Sequence, residues 1–264
     1  WESLMTTAFG TPRKLKATSS HKFDMKNGQK IEVQGMYLAP ASEATHSTFK
    51  INTCSNHGDC KNDCLITSGH LALDGHSSVR IDKTRAFYGY PLRFLIQLLK
   101  EIKAGSERAD RRGDLFQFRC NGTSDILWER YLYIDLFVAA TDGLHKFYDY
   151  TKIGKRRLSK LPLNYHLTFS IDEKVTTKTN GIAYALAGFS VAVVMPDKEK
   201  KKILALNHPR VIDGDLSDHR PQDPQGSIVL LRTKGTLRSA TTQFIKDFNW
   251  VKSFLDELSD ACDA

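Results

Sequence analysis

The sequence has no apolar run approaching the roughly 18–20 residues that span a bilayer. Its longest, Ile182 to Met195, is broken by Tyr184, Gly188 and Ser190 and suits a strand with its approach. Trp1 to Arg13 lacks a basic stretch followed by an apolar one, so no signal peptide is expected and the protein reads as intracellular, with no membrane partner. There is no repeat and no low-complexity tract. At 264 residues, 41% hydrophobic and 26% charged, with a mean hydropathy of −0.38, the composition excludes collagen-like, coiled-coil and disordered chains. Cysteine is scarce, odd in number and clustered. Five occur, at 54, 60, 64, 120 and 262. Three within eleven residues do not resemble a disulfide framework, and without a secretion signal they point to a metal or reactive centre. Acidic residues are outnumbered, 30 against 38 Lys and Arg, for a net charge of +8. That surplus fits a polyanionic partner such as nucleic acid. It gathers at Lys152, Lys155, Arg156, Arg157 and Lys160, at Lys198, Lys200, Lys201 and Lys202, and at Arg108, Arg111 and Arg112.

Hydrophobic periodicity supplies the architecture. Residues 1–47 are polar with turn signals, and Lys30 to Met36 alternates weakly as one strand candidate; this stretch reads as an N-terminal extension packed on a single domain, 48–264. Thr48 to Asn52 reads as a first strand, followed by a long polar loop, Ser55 to His76. Leu92, Leu95, Ile96, Leu99 and Ile102 recur at helical spacing behind Pro91, predicting a helix over Pro91–Lys103. Strands are predicted at Leu115–Cys120, Lys146–Thr151, Tyr165–Ile171, Phe189–Met195 and Ser227–Arg232, with a short extra one at Ile203–Ala205. Asp125 is placed to cap a helix running through Trp128 and Tyr131 to Leu136. An amphipathic helix from Phe244 to Leu258 closes the chain. Strands alternating with helices predict an α/β fold with a parallel sheet. About six strand units are too few for an eight-stranded barrel. No GxGxxG follows the first strand, so a partial (β/α)6-type barrel is expected.

In such a fold the polar segments after each strand share one edge, where active sites sit. Cys54, Cys60 and Cys64, spaced x5 and x3, are soft donors that select zinc or an iron–sulfur cluster, with a fourth position open to Cys120, His57 or His70. Asn121, Gly122 and Ser124 after the second strand are candidates for binding a cofactor. Asp125, Asp172, Asp213 and Asp215 are candidate general bases or nucleophiles. Tyr148, Tyr150, Lys152, His219 and Arg220 are candidates for stacking on bases and holding phosphate.

The three-Cys segment, the Tyr148-x-Tyr150-Thr151-Lys152 strand end, and the Asp213-Gly214-Asp215, Asp218-x-Arg220 and Asp223-Pro224-x-Gly226 segments resemble the phage gene-product-eighty-eight family from about Phe49 to Gly235. That resemblance implies a phage source, hence the host cytoplasm, and no settled reaction. In layout the chain is also similar to radical S-adenosylmethionine enzymes. There three Cys after the first strand hold a 4Fe–4S cluster whose open iron binds the cofactor. The Cys spacing differs from their Cys-x3-Cys-x2-Cys, and Asn121-Gly122-Thr123 stands where they carry Gly-Gly-Glu. DNA-guanine transglycosylases, with a barrel, an Asp nucleophile and a structural zinc, are a second class that the acidic edge suits; their Asp-Ser-Gly-Gly-Phe stretch is not found. The resulting expectation is an enzyme modifying nucleic acid, DNA in preference to RNA. It would use a 4Fe–4S cluster with S-adenosylmethionine, or zinc with base exchange. The alternative is a zinc-stapled nucleic-acid or host-factor binding protein without catalysis.

Overall fold

The computed structural model describes residues 15–18, 30–44, 51–61, 64, 66, 76–131, 146–217, 219–234 and 242–263. The chain divides into two compact units. The first comprises residues 1–55, 69–149 and 161–165; the second comprises 56–68, 150–160 and 166–264.

In the first unit β1 (Lys16–Thr18) runs antiparallel to β2 (Ile31–Met36), which is parallel to β3 (Leu115–Arg119). β3 is in turn parallel to β4 (Lys146–Thr151), whose last two residues are assigned to the second unit. After β2 come a short helix α1 (Ala41–Ala44), then α2 (His76–Gly89) and α3 (Pro91–Asp110). The apolar stripe of α3 divides as an amphipathic helix requires: Phe94, Leu98 and Ile102 are buried while Leu92 and Ile96 face solvent. Gly105 lets this helix close on the sheet. A Cβ there would stand 2.7 Å from the Phe116 ring and 2.9 Å from Gln34. The core of this unit gathers Met36, Leu38, Phe87, Phe116, Phe118 and Trp128 around that stripe. α2 is joined to α1 by a buried ion pair between Arg80 and Glu43.

In the second unit β5 (Tyr165–Ser170), which begins at the last residue of the first unit, β6 (Ser190–Met195), β7 (Val211–Asp213) and β8 (Ile228–Arg232) lie in the order β5-β6-β8-β7, all parallel. Helices α4 (Thr177–Leu186), α5 (Asp197–Leu204) and α6 (Phe248–Asp263) follow β5, β6 and β8. α6 buries Val251, Phe254, Leu255 and Leu258, and a Cβ on Gly181 of α4 would stand only 3.0 Å from the Phe254 ring. Within each unit the strands beyond β1 are parallel and alternate with helices, so the α/β class with a parallel sheet stands as the alternation predicts.

Several element assignments change. Ile31–Met36, the weak candidate, is the first parallel strand, whereas Ile51 and Asn52 form none. Ile203 and Leu204 end helix α5 rather than starting a strand. The helix expected behind Asp125 is, among the described residues, a 3-10 turn at Trp128–Arg130; its continuation lies outside them. α2, α4 and β7 were not anticipated. No helix among the described residues is long and apolar enough to cross a membrane.

Candidate active edge

At the carboxyl ends of β2 and β3, in the first unit, the chain builds a tightly bonded turn. The Asn121 backbone N–H donates to Asp149 Oδ1 at 2.6 Å, and its Nδ2 donates to Asp149 Oδ2 at 2.8 Å and to the Ile126 carbonyl at 2.8 Å. Its Oδ1 accepts from Ser124 Oγ (2.7 Å), the Ile126 N–H (3.0 Å) and Trp128 Nε1 (2.8 Å). Tyr165 donates its hydroxyl to Asp149. Asn121 and Asp149 are both buried. Gly122 donates to the Met36 carbonyl at 2.8 Å, and a Cβ there would stand 2.5 Å from the Tyr37 ring. Thr123 Oγ1 donates to the Leu38 carbonyl at 2.5 Å. The Asp125 N–H donates to Thr53 at 2.8 Å, setting the buried Asp125 beside the residue that precedes Cys54. Asn121, Gly122 and Ser124, expected to bind a cofactor, thus organise this turn. All the polar atoms of the Asn121 side chain bond within it.

In the second unit the carboxyl ends of its strands gather a different set. Asp172, 1% exposed, follows β5. Its carboxylate accepts the Lys174 N–H at 3.1 Å, and Lys174 Nζ stands 3.3 Å away. Lys152, after β4, donates to Ser170 Oγ at 3.1 Å and lies 4.6 Å over the Phe244 ring. Lys246 bonds through its backbone to the carbonyl of Val194, near the end of β6, and its ammonium lies 4.9 Å over Trp250. Burial lowers the Lys246 pKa, opposed by the charges of Asp172, Glu173, Asp247 and Asp59.

The segment carrying Cys60 is fastened to this edge. It forms a 3-10 turn, Gly58–Lys61, entered through Gly58 at φ +52°. Glu173 Oε1 accepts the Asp59 N–H at 3.0 Å. The Glu173 carboxylate fills the space a Cβ on Gly58 would occupy, so a side chain there is excluded on two grounds. Glu173 Oε2 is buried and lacks a hydrogen bond among the described residues. Lys174 Nζ reaches Asn56 at 3.4 Å. His57 Nδ1 lies 2.9 Å from the Gly58 carbonyl oxygen.

Cys54, Cys60 and Cys64 are of intermediate exposure, and Cys120 is buried in the hydrophobic core. Three soft donors of this kind suit zinc or iron chemically. Among the described residues, however, no group of three or more His, Cys, Asp or Glu is arranged to hold a metal. His70 lies outside the described residues.

The remaining candidates are placed as follows. Asp213 and Asp215 share one ammonium, with Lys200 Nζ at 2.5 Å from each, and Lys200 is 3% exposed. Burial pulls the Lys200 pKa down, but its two carboxylate partners outweigh this and raise it. Tyr148 is buried, and Tyr150 is partly exposed. His219 and Arg220 lie by the opposite, amino ends of the strands. They act electrostatically on His166 in β5, whose Nε2 is 3.3 Å from Ser190 Oγ at the start of β6. Several residues of the basic clusters are paired internally. Arg108 and Arg112 share Glu32 (2.6 and 2.5 Å), Lys201 pairs with Asp197, Lys202 with Glu199, and Arg156 is buried. Sequence reasoning missed Asp149, Glu173 and Lys246. Asp149, an acid amid the strand-end motif of β4, and Glu173, beside Asp172 after β5, each left a signal as acids at strand ends.

A family model described as gene product 88 matches residues 8–247. No curated protein and no solved structure matches.

Proposed function

The chain belongs to the gene product 88 family of phage proteins, and we propose that it is an enzyme that modifies nucleic acid at the carboxyl edge of its second unit. The observation that carries this reading is the fastening of the Cys60 turn to the loop holding Asp172, through Glu173 and Lys174. Asp172, buried and with the Lys174 ammonium 3.3 Å away, is the carboxylate placed at this edge to serve as general base or glycosyl nucleophile. Lys152 and Lys246 flank it, two cations to meet a phosphodiester. Binding of labelled DNA should weaken steeply as salt rises and should fall further in Lys152→Ala. Affinity indifferent to salt, or to that substitution, would remove the nucleic-acid partner from the reading.

A metal or iron–sulfur centre on Cys54, Cys60 and Cys64 is a second reading. It is favoured by the contrast between these three partly exposed thiols and the sealed Cys120. It requires a convergence of donors that the described residues do not show. A 4Fe–4S cluster would supply reductive cleavage of S-adenosylmethionine; zinc would serve as a staple. Metal analysis of protein produced with iron supplied separates the two. Iron with sulfide supports the first, one zinc per chain supports the second, and neither metal removes both.

A further inference from the structure

Arg220 is 1% exposed, yet its Nε and Nη1 make no hydrogen bond among the described residues. Nη2 is spent on the carbonyls of Ser217 and Gly214. Nη1 stands 3.2 Å from Asp223 Oδ2, within ion-pair range but out of alignment for a hydrogen bond. Buried guanidinium N–H groups are costly when unbonded and are normally satisfied by a carbonyl, a carboxylate or a bound oxyanion. The Arg220 charge acts on both His219 and His166, and His166 Nε2 in turn lies 3.3 Å from the Ser190 hydroxyl. His166 and Asp223 keep partial exposure, so solvent reaches the cluster.

We infer that Arg220, His166, His219 and Ser190 form an oxyanion site of phosphate type at the amino ends of β5 and β6. The site takes a terminal or diester phosphate, and it does not depend on the reading of the opposite edge. Arg220 supplies the charge, while the neutral imidazoles and the serine hydroxyl supply further donors. Its electrostatics agree. Burial and then the Arg220 charge hold His166 at about 4 and His219 at about 4, and burial, opposed by Arg220, pushes Asp223 up to about 6. Such displacements concentrated in one cluster mark functional sites. An anion seated there favours the imidazolium forms, so occupancy raises both histidine pKa values.

The test is a titration of the full chain with inorganic phosphate at pH 7, following the imidazole resonances by NMR, with sodium chloride of equal ionic strength as control. The inference expects saturable shifts of both rings with phosphate and none with chloride. It also expects roughly tenfold or greater weakening in Arg220→Gln, as for the loss of a charge-assisted contact. A nucleoside monophosphate and a short oligonucleotide form the comparison arms. Tighter binding of the monophosphate identifies a terminal phosphate, and tighter binding of the oligonucleotide a diester. Should Arg220→Gln not fold, Ser190→Ala takes its place with a smaller loss expected. Shifts that grow linearly without saturation, or that chloride reproduces, overturn the inference.

Discussion

Asp149 accepts two hydrogen bonds from one residue, Asn121: the backbone N–H at 2.6 Å and the side-chain amide at 2.8 Å. This pairing locks the loop after β3 to the strand beside it. Removing either partner strands several buried polar groups, each costing about 1–3 kcal/mol. Asn121→Ala should therefore cost about 3–5 kcal/mol in urea unfolding. A loss below about 1 kcal/mol would show that this side chain is not structural.

Gly122 should tolerate no side chain. Its Cβ would meet the Tyr37 ring at 2.5 Å and the Met36 carbonyl oxygen at 2.7 Å. Gly122→Ala is expected to lose about 1–3 kcal/mol through overpacking, measured as a drop in thermal midpoint against the wild type.

Much of this was legible in the sequence, and the exceptions have physical causes. The strands β3, β4, β5, β6 and β8 carry enough apolar periodicity to fall within a residue of their predicted bounds, and α3 starts at Pro91 as predicted but runs past Lys103 to Asp110. α2 escaped because its buried positions include Arg80, Lys83 and Thr84, polar residues that carry no hydrophobic signal. α4 was absorbed into the apolar run that ends in β6. Gly181 and Tyr184 are buried there against neighbours that periodicity does not reveal. Asn121 and Asp125 were legible as important, but not in what role, because Asn121 and Asp149 are 28 positions apart. The partner of the Arg108 and Arg112 cluster is likewise distant in sequence. Glu32 neutralises Arg108 and Arg112 across 76 and 80 residues.

Stability should depend on acid through the cluster at the amino ends of β5 and β6. His166 and His219 fall from the ordinary 6.5 to about 4, so the unfolded chain binds protons that the folded chain refuses. Their contribution is complete above pH 6.5 and is lost as pH falls through 4. Asp223, raised from 3.8 to about 6, acts in the opposite sense: its contribution is present below 3.8 and lost as pH rises through 6. The two histidines outweigh the one acid. A net loss on the order of a few kcal/mol is expected between pH 6.5 and 4. Denaturation curves with unchanged midpoints across that range would refute it.

Glu173 should protect the Cys60 turn. Its carboxylate accepts the Asp59 N–H and packs on Gly58. In Glu173→Ala the thiol of Cys60 is expected to react several-fold faster with a disulfide reagent, with little change at Cys262, exposed on α6. Equal rates at Cys60 in both proteins would detach the turn from Glu173.

Lys200, Asp213 and Asp215 form an ionic group that Arg232 and Lys234 extend at 3.9 and 4.0 Å from Asp215, so substitution of its buried centre, Lys200, should act on folding. Leaving one buried charge unmatched is strongly destabilising. Lys200→Met is expected to lower the unfolding free energy by about 2–4 kcal/mol. The loss should be larger than for the exposed pair partner Lys201→Met, which should change it by less than about 1 kcal/mol.

The central claim, that the edge holding Asp172 and the Cys60 turn modifies nucleic acid, is tested most directly by mass spectrometry of nucleosides. DNA and RNA from cells expressing the wild-type chain would be digested and compared with those from cells expressing Asp172→Asn at equal folded protein levels. The account predicts a nucleoside of altered mass with the wild type that disappears with Asp172→Asn. Identical nucleoside profiles, or an altered nucleoside that persists in the variant, would contradict it.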